Sequence, residues 1–171
     1  NLLRDRSVFA HCLHMDEEDR ASMAANGGAA AFCPTSNLFL GSGLFDLRAM
    51  REAGVRCGLG TDVGGGTSLS LLKTASEAYK VLHLQDQALP AMRALYLATL
   101  GAAEALYLDD KIGNFEAGKE ADFVVLDFEG SRLTARRTAA ATTMEEKLFA
   151  LITLADDRNV AATYVNGEVV R

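Results

Sequence analysis

The chain has 171 residues, 49% hydrophobic and 23% charged, which suffices for one ordinary domain with a sizeable buried core. A formal net charge of −6, with no basic cluster longer than the pair Arg136-Arg137, excludes a nucleic-acid-binding surface. No apolar stretch reaches the roughly 18 residues of a membrane span, and the three cysteines (Cys12, Cys33, Cys57) are odd in number, far apart and never in a C-x-x-C pair.

Such cysteine usage points to free thiols in a reducing, cytoplasmic compartment rather than to a disulfide framework. The opening "NLLRDRSVFAH" has neither an initiator Met nor a signal peptide and runs directly into an apolar strand, so the start reads as cut.

In chain order, "SVFAH" reads as a short buried strand. "DEEDRASMAANGG" follows as a helix with Asp16 as N-cap, acids in the first turn and Gly27 or Gly28 as its stop. "AAAFCP" is a second strand closed by Pro34. "LFDLRAMREAG" is a second helix, with Leu44, Leu47 and Met50 on one face and Gly54 at C′. "VRCGLGTD" makes a third strand and "SLSLLKTASEAYKVLHL" a third helix. Strands separated by helices of this size imply parallel βαβ units.

A further helix is expected over 89–108, with Pro90 near its first turn. "IGNFEAGKEADFVVLDFEG" is then turn-rich and enters a strand at 122–127, and "MEEKLFALITLAD" reads as one helix. The end, "ATYVNGEVVR", places Asn166-Gly167 between β-type residues as a type I′ hairpin turn. Residues 1–108 thus read as three βα units plus a following helix, and 109–171 as a small β-rich appendage with one inserted helix. The fold class is α/β.

The stretch "GLGTDVGGGTS", residues 58–68, raises the question of chemistry. A phosphate loop needs G-x-x-x-x-G-K-[ST], and this segment has no Lys and holds an acid at its centre. G-x-G-x-x-G fails too, for want of a third glycine at the required position. What remains is Asp62 at the C-terminal end of a parallel strand, where catalytic groups gather in α/β folds. A turn or N-cap aspartate is the competing reading, and spacing alone slightly favours it.

His11 occupies the same topological position two units earlier, so His11 and Asp62 would converge over one mouth. His14 makes an H-x-x-H spacing with His11, but no second cluster completes a zinc site. His83 lies near a helix end and reads as a C-terminal cation or a packing residue. Thr35, Ser36 and Asn37 follow the middle strand, either as hydrogen-bonding groups for a polar ligand or as turn residues.

In their order, "VFAHCLHMDEED", "AFCPTSNLFLGSGLF", "GLGTDVGGGTSLSLL", "IGNFEAGKEADFVVLD" and "TYVNGEVV" resemble the C-terminal half of the guanine deaminases, zinc-dependent members of the amidohydrolase superfamily. The resemblance spans essentially the whole chain. "GTDVGGGTS" and "CPTSNLFLGSGLF" are its most specific blocks, while "AHCLHM" and "GKEADFVVLD" occur more widely among related deaminases and triazine hydrolases.

The resemblance implies the C-terminal part of a (β/α)₈ barrel beside a β-sandwich appendage. It implies hydrolysis of guanine to xanthine and ammonia by a metal-bound hydroxide, with Zn²⁺, or Fe²⁺, as cofactor and a small purine as substrate. Asp62 matches the aspartate after the eighth strand, a metal ligand that takes a proton from the bound water. His11 matches the histidine after the sixth strand, which stabilises charge developing at the reacting carbon. His14 matches no required residue.

The family pattern also needs an H-x-H pair, a histidine after the fifth strand and a proton-shuttling glutamate. The only histidines are His11, His14 and His83, and no H-x-H occurs, so the chain by itself is expected to be inactive. Its open strand edges are expected to be covered, by a homodimer or another self-association. Two other readings stand beside this one: a different amidohydrolase acting on an adenine-type nucleoside or a triazine, and a non-catalytic fragment completed by another chain.

Overall fold

The computed structural model describes residues 2–170, and they form two separate three-stranded sheets with helices between and around them. The first sheet is parallel, in the order β1 (Val8–Ala10), β2 (Ala29–Phe32), β3 (Arg56–Leu59). Its register pairs Val8 with Ala29, and Ala29 in turn with Arg56, so the C-terminal ends of all three strands open on the same side. This is the parallel βαβ arrangement that the alternation of strands and helices predicts.

Helix α1 (Glu17–Ala25) connects the first two strands. Its N-terminus is a capping box, in which Asp16 accepts from the Asp19 N–H and the Asp19 carboxylate accepts from the Asp16 N–H. Gly27, at φ 71°, then takes the left-handed conformation that turns the chain into β2.

Between β2 and β3 lie two helices, not one. The unexpected member is α2 (Pro34–Leu40), where the sequence reads as a loop. Pro34 closes the strand as expected but also serves as the first helical residue, and Gly41 at φ 66° ends the helix. Helix α3 (Leu47–Glu52) starts three residues later than its apolar pattern suggests, because Asp46 caps it by accepting from the Ala49 N–H. Leu44 therefore lies outside the helix and is exposed, while Phe45 takes the core position.

Helix α4 (Leu71–His83) is capped by Ser70. The single helix expected over 89–108 is broken into α5 (Ala91–Ala98) and α6 (Leu100–Ala105). The break is Thr99, at φ −129° and ψ −99°, whose hydroxyl bonds back to the Leu95 carbonyl at 2.8 Å. The turn lets α6 lie directly on β3: a Cβ at Gly58 would stand 2.7 Å from the Ala102 Cα, so only glycine permits this approach.

The main core fills the space between β2, β3 and helices α3, α4 and α5. Phe32, Phe45, Met50, Val81, Leu82 and Leu97 are all fully buried there. Phe32 stacks on Phe45 at 4.5 Å between ring centroids, with an interplanar angle of 14°. By contrast β1, expected to be buried, leaves Val8 and Phe9 partly open along the free outer edge of the sheet.

The second sheet is antiparallel, in the order β4 (Phe123–Leu126), β5 (Val160–Val165), β6 (Glu168–Val169). Asn166 and Gly167, at φ 50° and 80°, close the β5–β6 hairpin, both with the positive φ of the expected type I′ turn. Two helices stand between β4 and β5 where one is expected. They are α7 (Arg132–Ala139) and α8 (Met144–Leu154). Helix α7 is polar in composition and is held by buried polar groups: Asn159 Nδ2 donates to both Thr134 Oγ1 and the Asp127 carbonyl. Helix α8 sends Leu148 and Ile152 into the main core.

All three cysteines are free thiols. Burial pushes the Cys57 thiol up to about 12 and also raises Cys12, the less buried of the two. Alkylation follows the thiolate and its access, so Cys12 is expected to react with iodoacetamide well ahead of Cys57. Timed labelling read by peptide mass mapping checks this, and equal rates at Cys12 and Cys57 would contradict the burial described. Among the described residues, no helix is long and apolar enough to cross a membrane.

Candidate active site at the strand ends

The three parallel strands all deliver polar groups to the same end of the sheet. After β1 comes His11, whose N–H continues the ladder to the Ala31 carbonyl at 3.0 Å. After β2 come Cys33 and then α2, carrying Thr35, Ser36 and Asn37, all buried. After β3 comes Gly60, whose N–H bonds the Phe32 carbonyl at 2.9 Å, and then Asp62.

His11 and Asp62 do converge, as their matching strand-end positions predict. His11 Nε2 lies 3.7 Å from Asp62 Oδ2, and both side chains remain more than a third exposed at the open mouth. Both residues have left-handed backbones, His11 at φ 72° and Asp62 at φ 47°. That conformation is uncommon for residues other than glycine, and such strain concentrates at functional sites.

The glycines after Asp62 shape the loop. The Gly66 N–H bonds the Asp62 carbonyl at 2.5 Å, and a Cβ at Gly66 would stand 2.0 Å from the Thr61 carbonyl oxygen. Position 66 therefore accepts glycine alone. A Cβ at Gly65 would approach Asp62 Oδ2 to 3.1 Å and Leu40 Cδ1 to 3.4 Å, which would crowd the carboxylate. The run of glycine thus keeps side chains away from Asp62.

Two contacts at this mouth escape the sequence reading. Asn37 Oδ1 accepts from His11 Nδ1 at 2.8 Å, tying the second strand end to the first. The Cys33 thiol lies beside the His11 backbone N–H, and burial first, then the charge of Asp62, raises its pKa. The signal for Asn37 was present in Pro34 at a helix N1 position, which puts Asn37 at the end of the first helical turn, but the turn residues around it masked the helix. Thr35 Oγ1 donates to the Thr61 carbonyl at 3.3 Å and so braces the loop carrying Asp62.

The remaining candidates fall elsewhere. The His14 ring flanks Gly43, with Cε1 3.7 Å from where a Cβ would stand, and no ligand cluster includes it. His83 contacts Tyr79, Nε2 to the phenol oxygen at 2.6 Å, in an edge-on ring pair on α4. It stands exposed in the last turn of α4.

A carboxylate and an imidazole are donors suited to Zn²⁺ or Fe²⁺. Among the described residues, however, no group of three or more His, Cys, Asp or Glu side chains can hold a metal ion. The strand ends therefore supply one acidic donor and a neighbouring imidazole, a fit to part of a metal centre that needs further ligands.

A model of the amidohydrolase family matches residues 1–170. The guanine deaminase of Escherichia coli (strain K12) is 50% identical over 163 residues, which is 95% of this chain and 37% of that protein. Its solved structure superimposes with a TM-score of 0.98 at 48% identity, covering 100% of this chain and 40% of that one. A guanine deaminase from C. acetobutylicum with bound guanine in its active site gives 0.86 at 28% identity, covering 99% and 40%. An adenosine deaminase from Xanthomonas campestris with bound zinc gives 0.85 at 30%, covering 98% and 37%. The chain spans about two fifths of the length of these relatives. With the family match running through all three strand ends and both sheets, the chain belongs to the amidohydrolase family.

Proposed function

We propose that this chain carries part of the catalytic centre of an enzyme that hydrolyses guanine to xanthine and ammonia. The observation that carries the reading is the convergence of His11 and Asp62, 3.7 Å apart at the ends of β1 and β3, within a chain that resembles guanine deaminases over its whole length. In this reading residues 1–108 are the last three βα units of a (β/α)₈ barrel with the helices that follow, and 109–171 belong to a β-sandwich appendage. The free outer edges of β1 and β3 are then covered by further strands from outside the 171 residues, or by self-association of two copies.

Asp62 would hold the metal, with further ligands from outside these residues. Zn²⁺ held there would supply Lewis-acid activation of a water. Asp62 accepts a proton from the attacking water as its oxygen bonds to the amino-bearing carbon of guanine. The proton held by Asp62 then passes to the amino nitrogen, the C–N bond breaks and ammonia leaves, and the remaining proton of the added hydroxyl moves to the neighbouring ring nitrogen to give xanthine. His11 Nε2, facing Asp62 across the mouth, is placed to accept a hydrogen bond from the attacking water and so to raise the negative charge on its oxygen. Glycine at position 65 keeps a side chain out of the narrow gap between Asp62, Ser36 and Leu40.

A substrate panel tests the reading. The full-length zinc-loaded protein is expected to release ammonia from guanine in preference to adenosine and chlorotriazines. Turnover of either rival substrate without guanine would replace guanine in the proposal. His11→Ala is expected to lower turnover by about 10²–10⁴-fold with metal content nearly unchanged. Elemental analysis of the variant checks the second half, since lost metal would make His11 a ligand.

A further inference from the structure

We propose that Asn37 is a positioning residue that fixes a proton on His11 Nδ1, so that Nε2 is the nitrogen presented to Asp62. This rests on the reading of His11 and Asp62 as the working pair.

The geometry is specific. Asn37 Oδ1 lies 2.8 Å from His11 Nδ1, and a carbonyl oxygen can only accept, so the proton belongs to Nδ1. Nε2 then faces Asp62 Oδ2 at 3.7 Å, beyond hydrogen-bond reach but with room for a reacting atom to be shared between them. In a neutral imidazole the partner of one nitrogen sets the state of the other.

The backbone holds Asn37 in place for this task. Its N–H bonds the Cys33 carbonyl at 3.1 Å, and its own carbonyl accepts from the Ser42 N–H at 2.9 Å. The residue is only 2% exposed, deep enough for an amide to be costly unless bonded. Yet Nδ2 has no hydrogen-bond partner among the described residues, so the side chain's one such bond goes to His11. An amide serving only to fill the core would be better replaced by an apolar group. His11 is held from its own side by the N–H bond to Ala31, in a left-handed backbone that aims the ring over the mouth.

The test is ¹⁵N NMR of the histidine-labelled, full-length protein, with guanine turnover measured on the same samples. Wild type is expected to show a protonated His11 Nδ1. Asn37→Leu, which removes the acceptor, is expected to shift population to the Nε2–H tautomer and lower kcat about 10–100-fold with little change in KM. Asn37→Asp keeps an oxygen at the Oδ1 position and is expected to retain the Nδ1 proton and most turnover. An unprotonated Nδ1 in wild type or in Asn37→Asp overturns the proposal, as does an unchanged tautomer in Asn37→Leu. Wild type and Asn37→Asp suffice should the Leu variant fail to fold. The spectrum does not depend on substrate: a tautomer that follows position 37 in a protein inert to guanine refutes the substrate while Asn37 stands. Full guanine turnover with an indifferent tautomer does the reverse.

Discussion

Asp62→Ala, made in the full-length protein, is expected to release the metal and reduce guanine turnover by about a thousandfold or more. Asp62 is the one acid that the three strand ends bring to the mouth, and it would combine two roles. As a ligand it contributes a negatively charged oxygen donor; as a base it accepts the proton of the attacking water. Charge stabilisation by a bound metal is worth several kcal/mol, and each 1.36 kcal/mol is tenfold in rate. Losing both roles therefore removes far more than a single hydrogen bond would. The loop should survive the change, because its shape comes from backbone bonds, Gly66 N–H to the Asp62 carbonyl and Gly64 N–H to the Gly66 carbonyl, rather than from the carboxylate. Metal content by elemental analysis and initial rates on guanine are the paired readouts. Retained zinc with a normal rate would refute both roles.

Phe32→Ala is expected to cost about 3–5 kcal/mol of stability, a large part of the 5–15 kcal/mol typical of a domain. Phe32 is 1% exposed, stacks on the wholly buried Phe45 and ends the central strand of the parallel sheet. Truncation would leave a ring-sized cavity where β2 meets α3, in a packed interior that relaxes only in part. The residue also stands just before Cys33 and Pro34, which lead into the helix bearing Asn37. Activity should therefore fall along with stability, unlike Asp62→Ala, where the fold persists. Denaturant titration of the variant beside wild type measures the loss. A change below about 1 kcal/mol, the range of substitutions away from such features, would mean that the Phe32–Phe45 pair is not the packing centre described.

Several features of the fold can be read directly from local chemistry. Asp16 followed by Asp19 caps α1, Asn166-Gly167 closes a hairpin, and the alternation of apolar runs with helices predicts a parallel sheet. The failures have equally local causes. In "CPTSNLFLGSG" the same Pro34 both ends a strand and opens a helix, and only tertiary contact distinguishes a turn from seven helical residues. The break at Thr99 follows from the approach of Ala102 to Gly58, two residues far apart in the chain. Helix α7 has few large apolar residues; its signal is the Ser131–Thr134 capping box, seen in the reciprocal bonds between those two residues.

The site was legible to the extent that it depends on topology. Matching positions after β1 and β3 placed His11 and Asp62 together before any distance was known. Asn37 reads as a polar group at the mouth, but its choice of His11 as partner depends on how α2 turns, which spacing does not encode. Cys33 read as an isolated thiol, and only the packing of β2 against Gly60 puts it beside both site residues.

Guanine turnover by the full-length zinc-loaded protein in ¹⁸O-labelled water tests the central claim most directly. Hydrolytic attack at the amino-bearing carbon predicts xanthine carrying one heavy oxygen at that carbon, with an equal amount of ammonia. Unlabelled xanthine, or no ammonia from guanine under conditions where the metal is bound, would contradict it.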